Sequence, residues 1–135
     1  MFSSTGSAQC GGEGQYKMDQ SYPVKCVTGP IFGKLTVRVY GDLSSDASDE
    51  SFAIDNVTLA RITNFDNPSD FEGWNCGKIM SCGDFGNVCG GYKTKGKGDH
   101  ITKTFDVPPG KYSVALDFIK IDSWFVCLLS SKAMC

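Results

Sequence analysis

The densest group of chemically active side chains in this sequence is a run of five carboxylates within fourteen residues: Asp42, Asp46, Asp49, Glu50 and Asp55. So many negative charges repel one another unless solvent or a cation screens them. Calcium takes about six to eight oxygen ligands, which carboxylates and loop carbonyls supply, although the spacing here is not that of an EF-hand. The run therefore predicts either a calcium site or a solvent-exposed acidic loop that keeps a sheet edge soluble.

Two tryptophans, Trp74 and Trp124, are the candidate ligand-binding aromatics, because a flat aromatic face stacks on a sugar ring. Most tryptophans of a small domain belong to its core. Trp74 stands two residues before Cys76, beside a predicted disulfide, which favours the core for that residue. The sequence leaves both roles open.

The chain contains seven cysteines, a share that a reducing compartment rarely tolerates without a metal or a catalytic use. Zinc is disfavoured because the close spacings are not Cys-x2-Cys pairs and His100 is the only histidine. We therefore predict a disulfide-stabilised, extracellular or cell-surface protein. The cysteines expected in disulfides are Cys10, Cys26, Cys76, Cys82 and Cys89. An odd total leaves at least one thiol outside an intrachain disulfide, with Cys127 and Cys135 as the first candidates.

No residue of the chain is predicted to be catalytic. A nucleophile would need His100 as its base, and no signature marks any cysteine as that nucleophile. The acidic run lacks the apolar wall that separates the pKa values of a glycosidase pair. Asn56-Val57-Thr58 is an N-glycosylation sequon, so Asn56 is a candidate modification site, although its place inside a predicted strand argues against efficient use.

The length of 135 residues fits one domain spanning residues 1–135. A net charge of −2 gives no basic surface for nucleic acid, and no apolar stretch approaches the roughly 20 residues of a membrane span. The expected partners are other extracellular proteins or copies of the chain itself, with glycans as a further possibility. No cofactor other than calcium is expected.

Alternating apolar and polar residues predict strands rather than helices. The clearest strand covers residues 34–40, with Leu35, Val37 and Val39 on one face. A second covers 52–62, with a bulge near Asp55 and Asn56, where the apolar positions change face. A third covers 112–121 and is expected to form a hairpin with a weaker strand at 101–107. This pattern predicts an all-β fold, an antiparallel β-sandwich.

Two parts of the sequence resemble extracellular jelly-roll, galactose-binding-like modules of secreted and surface proteins from ciliates, algae and related protists. Asp49-Glu50-Ser51-Phe52-Ala53-Ile54-Asp55-Asn56-Val57 resembles the signature DES(W/F)(G/A)IDNV that closes such modules. A second, ordered set resembles their opening half: Gly90-Gly91-Tyr92, Gly96-Lys97-Gly98, Lys103-Thr104-Phe105, Val107-Pro108-Pro109 and Lys120-Ile121-Asp122-Ser123-Trp124.

The two halves stand in inverted order, because the closing half precedes the opening half. The chain is thus expected to be one module in permuted order, or else the closing half of one module (1–64) joined to the opening half of the next (65–135). The residues after Trp124 also depart from the family pattern, which leaves a cation role for Asp122 in doubt. The resemblance implies a jelly-roll sandwich with calcium sites in its loops and strand edges that another copy can fill.

These inferences predict a non-enzymatic structural or adhesive module that acts in surface recognition or in matrix or filament assembly. The alternative is a calcium-dependent carbohydrate-binding, lectin-like module, which needs Trp74 or Trp124 on an open face beside the acidic run. A second alternative, a small secreted hydrolase, needs His100 within hydrogen-bonding reach of a nucleophile or carboxylate.

Overall fold

The computed structural model describes residues 10, 19–59, 62–63 and 72–122. These residues form two antiparallel sheets. The larger sheet has the strand order β1-β8-β3-β6-β5, with β4 also paired to β3, and the smaller sheet consists of β2 and β7. The strands are β1 (Gln20–Val27), β2 (Ile31–Tyr40), β3 (Ser51–Thr58), β4 (Ile62–Thr63), β5 (Ile79–Ser81), β6 (Asn87–Gly90), β7 (His100–Gly110) and β8 (Ser113–Ile121). The predicted all-β, antiparallel β-sandwich class is confirmed.

A long two-stranded ribbon connects the sheets. Strand β1 pairs with β8 in the larger sheet, and their continuations β2 and β7 pair in the smaller one. The register is the same on both sides of the bend: Val24 faces Leu116, and twelve residues further on Thr36 faces Thr104. At the bend, the Tyr112 amide donates to the Thr28 hydroxyl, and the Thr28 amide donates to the Tyr112 carbonyl. The ribbon therefore folds over on itself and encloses apolar side chains.

The main core lies between the two sheets. The larger sheet contributes Phe52, Ile54, Val114, Leu116 and Phe118, and the smaller sheet contributes Leu35, Val37 and Ile101. The rings of Phe52 and Phe118 stack with their centroids 5.6 Å apart. Because full burial of an apolar side chain of this size stabilises a fold by about 1.5–3 kcal/mol, this layer is the main source of cohesion.

A second, smaller core covers the other face of the larger sheet. Its buried members are Cys10, Ala53, Cys82, Val88, Ile119 and Ile121. The disulfide between Cys10 and Cys82 belongs to this layer, together with the partly buried Phe85 of the 3-10 turn Gly83–Phe85. Strand β3, in the middle of the larger sheet, is consequently covered on both faces.

The predicted strand 34–40 is confirmed, because Leu35 and Val37 are buried while Thr36 and Arg38 are exposed. The bulge predicted near Asp55 and Asn56 is also confirmed by a register shift after Asp55. Asn56 has φ 47°, and the extra residue returns Val57 to the same core as Phe52 and Ile54. The predicted strand 52–62 is wrong beyond Thr58, because the chain reverses there and β4 pairs back onto β3.

The predicted hairpin between residues 101–107 and 112–121 is wrong. These segments are β7 and β8, and they lie in different sheets, paired with β2 and with β1 and β3. The turn expected at Pro108-Pro109-Gly110 is wrong as well, because these residues continue β7 and Gly110 faces Ile31 of β2. The pairing is decided instead by long-range burial, since both strands place apolar residues in the core between the sheets.

Two disulfides join described residues: Cys10 to Cys82, and Cys76 to Cys89. Cys26 is also disulfide-bonded, and its pairing lies outside the described residues, as do Cys127 and Cys135. The Cys76–Cys89 bond ties the segment before β5 to strand β6, and the other bond ties residue 10 to the turn after β5. The Cys76–Cys89 bond therefore fastens the segment before β5 to the larger sheet, and the Cys10–Cys82 bond fastens residue 10 to the segment after β5.

Candidate functional site

The first candidate region is the acidic loop, residues 41–50, between β2 and β3. The Glu50 carboxylate accepts hydrogen bonds from the amides of Ser44 and Ser45, at 2.6 and 2.7 Å, and from the Ser44 hydroxyl at 2.9 Å. The Glu50 and Asp49 amides donate in turn to the Asp46 carbonyl. The Glu50 side chain therefore acts as an internal clamp that holds the loop closed.

Asp46 is likewise engaged within the loop. Its carboxylate accepts hydrogen bonds from the amide and the hydroxyl of Ser48, which lower the pKa of Asp46. The side chains of Asp42 and Asp49 are exposed. Two of the predicted calcium ligands thus stabilise the loop conformation, and two others point to solvent.

A lysine loop, residues 93–99, packs directly on the acidic loop. The Lys97 amide donates to the Ser45 carbonyl, and its ammonium group lies 3.3 Å from the Ser44 carbonyl. The Lys95 carbonyl accepts from the Phe52 amide. The Lys97 ammonium group therefore lies beside the acidic loop, and its charge reduces the repulsion among the carboxylates.

Asp55 is separated from the other four acidic residues. It lies in β3, five residues after Glu50, which corresponds to about 16 Å along an extended strand. Asp55 is 5% exposed and lines a cavity of about 150 Å³ together with Ser21, Asn56, Asp84, Phe85 and Asp117. Asp84 and Asp117 were not singled out in the sequence, because only the register of β3 with β8 and the turn after β5 brings them to Asp55.

Within the described ranges, no group of three or more His, Cys, Asp or Glu side chains is arranged to hold a metal ion. The five carboxylates of the sequence run therefore do not form one cluster. Calcium binding stays a prediction.

The candidate glycosylation residue Asn56 is exposed at the bulge of β3. Its side-chain amide donates to the Asp117 carboxylate at 2.8 Å, across the strand pair. The bulge places this side chain at the cavity mouth rather than in the core. Modification of Asn56 stays a prediction.

Trp74, a candidate ligand-binding residue, is only 8% exposed. Its ring meets Phe105 edge to face with centroids 6.0 Å apart, and the Lys103 ammonium lies 5.9 Å from its centroid. Little of the indole is left for a sugar to stack on. Trp124 lies outside the described residues.

The smaller sheet carries a ladder of polar pairs on its outer face. Lys34 forms a salt bridge with Asp106 at 2.8 Å, and the hydroxyls of Thr36 and Thr104 are 2.8 Å apart. Nδ1 of His100 lies 3.4 Å from the Arg38 guanidinium. The side-chain contact of His100 is thus with a cation rather than with a nucleophile or a carboxylate.

The two edges of the smaller sheet differ. On the β7 side, the Asn75 side chain accepts from the Thr102 amide at 2.5 Å, and the Asn75 amide donates to the Thr102 carbonyl at 3.3 Å. On the β2 side, no described residue pairs with the strand. Phe32 and Tyr40, near the two ends of β2, are 81% and 67% exposed. The free edge of β2 is therefore an accessible backbone surface for pairing.

A buried charge network lies at the end of β8. Lys120 is 4% exposed, and burial lowers its pKa, while the nearby negative charges of Asp19 and Asp122 act in the opposite direction. The Asp19 carboxylate accepts from the amides of Cys10 and Asp122, at 2.8 and 3.0 Å. This network fixes residue 10 and the end of β8 to the residue that precedes β1.

No protein-family model, curated protein or solved structure was found to match this chain. The resemblance to jelly-roll modules therefore stays a prediction that rests on the motifs alone. In the described part of the chain, no helix is long and apolar enough to cross a membrane.

Proposed function

We propose that this chain is a non-enzymatic module of an extracellular protein that acts in surface recognition or in the assembly of a matrix. The observation that carries the proposal is the free edge of β2, at which Phe32 and Tyr40 are largely exposed. Long open edges with exposed apolar residues pair readily with other strands, and soluble proteins usually protect them. An edge of this kind suits a protein that works by binding other chains.

The disulfides support an extracellular location, because such bonds persist in oxidising compartments. The two-sheet architecture agrees with the proposed membership of the jelly-roll, galactose-binding-like modules, whose members use one framework for many partners. The proposed partners are extracellular proteins, copies of this chain, or glycans.

The contact of His100 with Arg38 favours a binding module over a hydrolase. The usual partner that orients a catalytic histidine is a carboxylate, whereas the side-chain contact of His100 is with a guanidinium group. The acidic cavity beside Asp55 lacks a histidine among its lining residues.

The calcium-dependent carbohydrate-binding alternative is less favoured by the geometry. Glu50 and Asp46 are occupied by hydrogen bonds within the acidic loop, and Trp74 is buried. Thermal melting with calcium and with a chelator separates the two functions. Calcium at about 100 times its Kd would stabilise a binding protein by about 2.7 kcal/mol, whereas a calcium-independent adhesive module melts at one temperature in both buffers.

A bead assay tests the proposal itself. Oxidised, alkylated protein is coupled to beads, which are presented to beads that carry the same chain and to immobilised extracellular glycoproteins. Adhesion to either surface that persists in chelator is the expected result. Dispersed beads that bind neither surface, or turnover of ester, peptide or glycoside substrates by the soluble chain, would overturn the proposal. Beads that carry heat-denatured, reduced protein control for non-specific adhesion.

A further inference from the structure

We infer that the free edge of β2 is a docking site for the β2 strand of a second copy of this chain, paired antiparallel about a two-fold axis at Val37. This inference rests on the proposed function and specifies the partner of the edge. A four-stranded sheet with the order β7-β2-β2-β7 then runs across the two copies.

The first step of the argument is which backbone groups of β2 are free. Thr102 directs its amide and carbonyl to Asn75, away from β2. In an antiparallel pair, alternate residues point their backbone groups to the same side. Arg38, which faces Thr102, therefore directs its own amide and carbonyl away from β7. Lys34, Thr36 and Tyr40 lie an even number of residues from Arg38 on the strand. Their backbone amides and carbonyls therefore also point away from β7.

The second step is where the regular part of the edge begins and ends. The β2–β7 register is interrupted between Ile31 and Gly33, and Gly33 has φ 90°. The register is regular from Gly33 onward, and the residues of this stretch that point away from β7 run from Lys34 to Tyr40, the end of β2. The midpoint between Lys34 and Tyr40 is Val37, so a two-fold axis at Val37 pairs residues 34–40 with themselves. In each copy, four residues point their backbone amides and carbonyls away from β7. These groups of the two copies then exchange about eight main-chain hydrogen bonds.

The third step is the side-chain complementarity of this register. On the outer face, Lys34 lies opposite Tyr40 of the second copy, and Thr36 lies opposite its Arg38. On the inner face, Leu35 meets Val39, and Val37 meets its own copy, which extends the core. No like charges stand opposite one another. A shift of the axis by one residue, to Thr36, would place Lys34 against Arg38, and like charges in such positions are destabilising.

The charged side chains of β2, Lys34 and Arg38, protect this edge only weakly against pairing with another strand. Lys34 is directed to Asp106 and Arg38 to His100, both across the strand pair on the β7 side.

The larger sheet lies away from the shared edge. Across the bend, β2 continues as β1, which is an edge strand of the larger sheet, and all the other strands on its path lie on one side of β1, beginning with β8. The bulk of each copy therefore extends away from the shared edge.

The symmetry of the pairing limits this contact to two copies. Each β2 edge is used once, and the β7 edge of the same sheet is occupied at Thr102 by Asn75. A contact that uses the same patch on both copies closes on itself and forms no filament. The second copy is thus favoured over an open chain of subunits.

Sedimentation equilibrium of the full-length, alkylated protein from about 1 to 500 µM tests the inference, since alkylation prevents disulfide-linked dimers. A reversible monomer–dimer equilibrium is expected. Thr36→Lys places a second cation opposite Arg38 at two symmetric positions and should weaken the dimer about tenfold, whereas Thr36→Glu should strengthen it by a similar factor. Equal effects of the two substitutions would overturn the register.

A proline pair supplies the matched control. Thr36→Pro removes an amide that points to the second copy and should abolish the dimer, while Thr104→Pro removes the equivalent amide on the opposite edge of the sheet and should preserve it. If either proline variant fails to fold, as judged by circular dichroism, the lysine and glutamate variants decide. A protein that is monomeric at the highest concentration overturns the inference, and adhesion of its beads to glycoproteins would still uphold the proposed function.

Discussion

Gly96 lies directly against the backbone of Ala47, so that a methyl group added at residue 96 would come within 2.3 Å of the Ala47 amide nitrogen. The contact joins the lysine loop to the acidic loop. The backbone hydrogen bond from Lys97 to Ser45 stands beside it. A side chain at residue 96 would force the two backbones apart, which explains why this close approach requires glycine.

Gly96→Ala is therefore expected to destabilise the protein by about 1–3 kcal/mol, because neither backbone can move without breaking hydrogen bonds. Urea unfolding followed by fluorescence measures the change. Gly29→Ala is the matched control, since a methyl group at Gly29 meets nothing within 4 Å, and its effect should stay within about 0.5 kcal/mol. Equal stability of the two variants would show that the loops are not docked in this way.

Glu50→Ala is expected to cost about 1–2 kcal/mol, because the amides of Ser44 and Ser45 lose a charged acceptor. Asp49→Ala, in the same loop and exposed, should change stability by less than about 0.5 kcal/mol. Both values come from urea unfolding in chelator, which removes any contribution of calcium. A larger loss for Asp49→Ala than for Glu50→Ala would contradict the clamp.

Loss of the two described disulfides should have unequal effects. The Cys10–Cys82 bond spans 72 residues and the Cys76–Cys89 bond spans 13. The chain-entropy model then gives stabilisations of about 4.4 and about 2.9 kcal/mol. The double variants Cys10→Ala with Cys82→Ala, and Cys76→Ala with Cys89→Ala, should show this order in urea unfolding. The reverse order would mean that packing at residue 76 or 89 outweighs chain entropy.

Much of the fold follows from local patterns in the sequence. The alternation of Leu35 and Val37 with polar residues predicted a strand with one buried face, and the change of face between Ile54 and Val57 predicted the bulge. Both signals act within one strand. The pairing of β7 with β2 depends instead on which distant strand completes the core, and the Pro-Pro-Gly motif before Lys111 carries no information on that choice.

The candidate sites followed from the sequence only in part. Proximity in the chain grouped Asp55 with Glu50, whereas the strand direction carries Asp55 away to Asp84 and Asp117. The free edge of β2 was expected only in general terms, because a strand's position in its sheet is a property of the whole topology. The strands before residue 64 pair largely with the strands after residue 65. Which strand edges are left unpaired therefore could not be predicted from either half of the sequence alone.

The buried ammonium group of Lys120 should make stability rise with pH in the alkaline range. Burial holds the pKa of Lys120 in the folded protein below its usual value of 10.5, so the unfolded chain binds more protons between the two pKa values. Stability therefore increases as the pH rises through the folded pKa towards 10.5. Burial raises the pKa of Tyr22, which opposes the trend only above about pH 10. Urea unfolding at increasing pH, from neutral to about pH 10, should show the increase in the native protein and a flatter profile for Lys120→Met. Lys25→Met, which removes an exposed lysine from β1, should retain the increase, and identical profiles for the two variants would contradict the assignment to Lys120.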